Sequence, residues 1–75
     1  MTYKIFETVN NFRVIVEGCA DTLALADFLD QNGGFVSCLE IHYKTNTGAI
    51  CTCAGVQREK LEKLINKFQF IYSNS

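Results

Sequence analysis

The sequence predicts an α+β fold: a ββαββα two-layer sandwich, with a four-stranded, mostly antiparallel sheet and two helices on one of its faces. Three observations lead there. Two alternating segments, "YKIFETVNNFRVIVEG" and "GFVSCLEIHYKTNTGAICTC", each enclose a turn-forming tract and read as β-hairpins. Each is followed by apolar residues at helical spacing, in "DTLALADFLDQNGG" and "VQREKLEKLINKF". Finally, 75 residues with 48% hydrophobic content suffice for one core. A single domain over 1–75 of this size buries only ~60% of the surface of its unfolded chain, so the stability margin is thin.

In the first hairpin, Asn10-Asn11 tolerates the left-handed backbone of a tight turn. If Val9 pairs with Phe12, then Tyr3, Ile5, Glu7, Val9, Phe12, Val14 and Val16 share the face expected to meet the core. Lys4, Phe6, Thr8, Arg13, Ile15 and Glu17 share the other, with Lys4 opposite Glu17 and Phe6 opposite Ile15.

The first helix has Asp21 or Thr22 as N-cap and Leu25, Phe28 and Leu29 as its apolar stripe. Asn32-Gly33-Gly34 ends it, because these residues accept a left-handed conformation cheaply. Its outer side, with Asp21, Asp27 and Asp30, is acidic.

The second hairpin allows two registers with opposite consequences for "GAICTCAGV". A two-residue turn at Asn46-Thr47 pairs His42 with Cys51 and Glu40 with Cys53, gathering plausible zinc ligands on one face. A type I turn with a bulge at Gly48 pairs Thr45 with Ala49, Tyr43 with Cys51 and Ile41 with Cys53. The second register separates apolar Leu39, Ile41, Tyr43, Cys51 and Cys53 from Glu40, His42, Lys44 and Thr52, and burial therefore selects it. Both cysteines then point into the core as small apolar groups, Cys38 is half-exposed, and Cys19 lies in the strand-to-helix connection.

The second helix is the clearest element. Leu61, Leu64, Ile65 and Phe68 form its stripe, Arg58, Lys60, Lys63 and Lys67 lie off it, and Glu59 stands four residues before Lys63 in the favourable order. The tail "QFIYSNS" extends this helix or adds a short strand. A shift of 36 residues superposes Ile5 on Ile41, Val14 on Ile50 and Leu25 on Leu61, the trace of a ββα repeat.

Charge and composition bear on function by exclusion. The net charge of −1 argues against nucleic acid as the first partner. The start alternates instead of showing a basic segment before an apolar one, so no signal peptide is expected. No apolar run approaches the ~20 residues of a membrane span. The expectation is a cytoplasmic protein with free thiols, no membrane association and no cofactor. His42 has no nucleophile or carboxylate fixed near it in sequence, Gly33-Gly34 precedes a strand where a phosphate loop would precede a helix, and no acyl-transfer triad can be assembled. An enzyme is not expected.

The helix-free face of the sheet remains as the candidate site. Phe6 and Ile15 are apolar on a face meant for solvent, with Lys4 and Arg13 as a charged rim and His42, Lys44 and Ile50 continuing the surface. This is the anatomy of an interface for another protein, a protein complex or a second copy of the chain. Two alternatives stand beside it: a nucleic-acid-binding module on Arg58, Lys60, Lys63 and Lys67, and a small metal or thiol protein using Cys38, Cys51, Cys53 and His42.

A short autonomous chain rich in Asn, Lys, Ile and Phe and without catalytic residues resembles small phage or mobile-element accessory proteins, including inhibitors of host defence such as anti-CRISPR proteins. The resemblance is one of profile and carries over no site residue. It implies a small domain that blocks or modulates another macromolecule by covering part of its surface.

Overall fold

The computed structural model describes residues 1–41, 48–54 and 56–73. Strands β1 (Thr2–Glu7) and β2 (Asn11–Glu17) precede helix α1 (Thr22–Leu29), strands β3 (Val36–Ile41) and β4 (Ala49–Ala54) follow it, and helix α2 (Arg58–Ser73) comes last. The strands form one antiparallel sheet in the order β1-β2-β4-β3, with the helices packed on it, so the α+β class and the ββαββα order hold. The hairpins meet through their second strands, and Val14 pairs with Cys51 at the centre. The shift of 36 matched Val14 to Ile50, which faces the opposite side; in space its counterpart is Cys51.

The paired residues of the first hairpin keep their assigned faces, but its register moves by two residues. Lys4 lies opposite Ile15 and Phe6 opposite Arg13, and the turn is centred on Val9-Asn10. Thr8 explains the move. Its hydroxyl accepts the Asn11 N–H at 3.1 Å and donates to the Asn11 carbonyl at 2.9 Å, while its own N–H donates to the same carbonyl at 2.8 Å. Val9, expected in the core, is therefore carried to the tip of the turn and is 97% exposed.

In the second hairpin Leu39 pairs with Cys51 and Ile41 with Ala49, four residues from the expected register. A shift of four leaves each side chain on its face, so apolar patterning cannot distinguish the two registers. A bulge between Val36 and Cys38 adds a further irregularity, and there the Ser37 hydroxyl donates to the Thr52 carbonyl at 3.2 Å. The expected turn at residues 45–48, the alternative one at Asn46-Thr47 and residues Tyr43 and Thr45 lie at or beyond the limit of the described residues.

Asp21 caps α1, its carboxylate accepting the Ala24 N–H at 3.0 Å. The helix runs into a π-type turn (Asp30–Gly34) in which Gly33 has φ +88°. A Cβ on Gly34 would fall 2.7 Å from the Leu29 carbonyl oxygen, so both glycines are required where the chain leaves the helix. The Asp30 carboxylate then accepts the Val36 N–H at 3.0 Å and fixes the entry into β3.

α2 contains most of the tail, as the first of the two expectations had it. Leu61, Ile65 and Phe68 from α2 and Leu25 and Leu29 from α1 cover Val14, Val16, Ala49, Cys51 and Cys53, all of them buried. α2 lies on the β1 side, where the Tyr3 hydroxyl donates to Asn66 Oδ1 at 3.2 Å, and α1 lies towards β3. No helix among the described residues is long and apolar enough to cross a membrane.

Candidate functional site

The sheet register turns the helix-free face into two rows that cross all four strands. In the first, Lys4 of β1, Ile15 of β2, Ile50 of β4 and Glu40 of β3 stand side by side. In the second the order is Phe6, Arg13, Thr52 and Cys38. Ile15 and Ile50 are half-buried by their neighbours, whereas Phe6 keeps 49% of its surface in solvent. Ile15 is therefore diagonal to Phe6 and adjacent to Ile50, so the apolar centre is the Ile15–Ile50 pair with Phe6 at its edge. Thr2, Lys4, Ile15 and Glu17 of this face, with Tyr3, line a shallow depression of about 210 Å³.

Five of the seven candidate residues, Lys4, Phe6, Arg13, Ile15 and Ile50, are thus brought onto one surface. His42 and Lys44 lie outside the described residues. Glu40 joins the rim as an acidic counterpart to Lys4, at the opposite edge of the same row. The alternation of β3 had placed it on this face, but its row depended on a register the sequence did not fix.

The four thiols separate by face. Cys19, Cys51 and Cys53 are buried and Cys38 is exposed on the far side of the sheet, so Cys38 shares no pocket with the other strand cysteines. Burial pushes the Cys51 thiol up to about 12 and the Cys53 thiol to about 11, with neighbouring thiols adding to the first and Asp30 to the second. Both are protonated at neutral pH and chemically quiet. Glu40 pairs with Ile50 and Cys51 with Leu39, so the register that would set Glu40 against Cys53 is not formed.

The basic side of α2 also divides. The Arg58 guanidinium donates to the Ile5 carbonyl at 2.9 Å, at the edge of β1. Lys60 reaches the other way, and a Cβ on Gly33 would come within 2.7 Å of its Nζ. An ammonium there complements the negative end of α1. Lys63 and Lys67 remain exposed on the outer surface of α2. No family model, curated protein or solved structure matches this chain.

Two features had no signal in the sequence. Phe35 adopts φ +50°, ψ +63° and is 61% exposed, in a left-handed conformation that the preceding glycines were expected to provide. A second cavity of about 170 Å³ lies among Met1, Gly18, Cys19, Ala20, Phe68, Gln69 and Tyr72, where the strand-to-helix connection meets the end of α2.

Proposed function

We propose that this chain is a non-enzymatic interaction domain that binds another protein through the helix-free face of its sheet and modulates it by covering its surface. One observation carries the reading. Ile15 and Ile50 lie side by side at the centre of a face that no element among the described residues covers, beside a half-exposed Phe6 and within a rim of Lys4, Arg13, Glu17 and Glu40. An apolar centre with a charged rim is how protein interfaces are built, since the centre supplies desolvation and the rim supplies orientation.

The resemblance in profile to phage and mobile-element accessory proteins makes host-defence complexes, CRISPR effectors among them, the first partners to test. Immobilised wild-type chain is compared with the Phe6→Ala, Ile15→Ala double variant against such a panel, with melting curves of both recorded in parallel. The expected result is loss of capture by the variant at an unchanged fold. Equal capture by both proteins, or unfolding of the variant, contradicts the assignment of this face.

A further inference from the structure

We infer that the helix-free face is self-complementary and takes a second copy of this chain, stacked face to face about a two-fold axis parallel to the strands. The inference rests on the reading of that face as an interaction surface and names its first occupant.

Charge order carries it. The first row runs cation, apolar, apolar, anion from one edge of the sheet to the other: Lys4, Ile15, Ile50, Glu40. A copy turned over about an axis that runs along the strands, between β2 and β4, presents the same row in reverse. Lys4 then faces Glu40 of the second copy, Ile15 faces Ile50, and both relations occur twice by symmetry. In the second row Phe6 faces Cys38 and Arg13 faces Thr52, so the aromatic ring meets a polarisable thiol and no like charges are opposed.

The other face-to-face arrangement, with its axis across the strands, fails on the same residues. It sets Lys4 against Phe6 and Ile15 against Arg13, which desolvates two cations over apolar groups with no carboxylate opposite. Among the described residues, the cations Lys4 and Arg13 and the anions Glu17 and Glu40 also balance on this face, which favours the approach of two copies.

Size sets the strength. Four strands ~4.8 Å apart and ~20 Å long offer roughly 400 Å² in projection, below the ~800 Å² per partner of a standard interface. The dimer is accordingly weak, with a dissociation constant above about 1 µM. A dimer and a foreign complex cannot share one face, so capture of a partner proceeds from the monomer.

Three measurements decide it. Sedimentation equilibrium from about 10 µM to about 1 mM spans the affinities expected of so small an interface. Zero-length carbodiimide coupling of mixed unlabelled and ¹⁵N-labelled chains follows, with the cross-links mapped by mass spectrometry. Lys4 and Glu40 lie at opposite edges of one sheet, so a Lys4–Glu40 link of mixed isotopic mass reports the second copy. Charge reversal completes the set: K4E and E40K each weaken dimerisation at least about tenfold, and K4E/E40K restores it.

A chain that stays monomeric throughout, or a dimer that ignores K4E and E40K, overturns the inference. The capture experiment with Phe6→Ala, Ile15→Ala is run at about 50 nM, well below the dissociation constant of the dimer, where the chain is monomeric. Its failure would sink the interaction face itself, whereas a chain that captures a partner through this face yet stays monomeric up to about 1 mM would sink only the second copy.

Discussion

Arg58 and Ile5 join the first turn of α2 to the outer edge of the sheet, the guanidinium donating to the main-chain carbonyl at 2.9 Å. In β1 the odd-numbered residues direct their backbone groups away from β2, so this contact occupies an acceptor on which an added strand would pair. Arg58→Ala is expected to cost about 1 kcal/mol, a fall of about 4–8 °C in melting temperature, and to increase aggregation on heating. Light scattering during a thermal ramp checks it; unchanged scattering would mean that the edge is protected by other means.

Val14 and Ile15 are neighbours on β2 with opposite fates, the first fully buried and the second on the helix-free face. Val14→Ala removes methyl groups from a packed core and is expected to cost about 2–3 kcal/mol. Ile15→Ala, measured by urea unfolding at low micromolar concentration, should cost less than about 1 kcal/mol. Comparable losses would show that something in the monomer covers the sheet.

The buried thiols set an alkaline limit to stability. Cys51 and Cys53 hold their protons in the folded chain to about 12 and about 11, while an unfolded thiol releases its proton near 9. Their contribution is complete below about pH 8.5 and declines as pH rises towards the folded values, because the unfolded state gains by ionising. The Cys51→Ala, Cys53→Ala variant is expected to start less stable and to lose less between pH 8 and pH 10.5. Parallel loss in the two proteins counts against thiol burial as the cause. At pH 8 a chromogenic disulfide should titrate one thiol of the native chain, Cys38, and all four after denaturation.

Phe35 holds a left-handed backbone that costs a non-glycine residue about 1 kcal/mol, while most of its ring lies in solvent. Asn adopts that conformation more readily, so Phe35→Asn is expected to raise stability by about 0.5–1 kcal/mol. A loss of stability on denaturant unfolding would mean that the ring makes contacts worth more than the strain.

Element types and faces were legible because each rests on a period: two for the strands, 3.6 for the helices. Asp21, Gly33 and the stripe from Leu61 to Phe68 took the places their chemistry dictates. Registers were not legible, for a reason visible in Thr8. A side-chain hydroxyl that bridges Asn11 moved the first turn by one residue and the pairing by two; the paired residues kept their faces and only Val9 was lost from the core side. The candidate face was legible in its membership, but the row that sets Lys4 and Glu40 at its two ends required the pairing of all four strands. Phe35 was beyond reach because nothing in "GGF" tells which residue takes the strained conformation.

The strand order has a consequence for how the chain comes into being. β2 is central, yet the strand that covers its open edge, β4, ends at residue 54. A chain emerging from the ribosome therefore carries its first ββα unit for some time with an unpaired inner edge and Val14 and Val16 uncovered by Leu61 and Ile65. Joining the two halves brings together residues 37 positions apart, Val14 and Cys51, and closing that loop precedes any reward from the core. The slow step of folding is expected to be this docking of two hairpins, and the first ββα unit alone is expected to aggregate instead of folding.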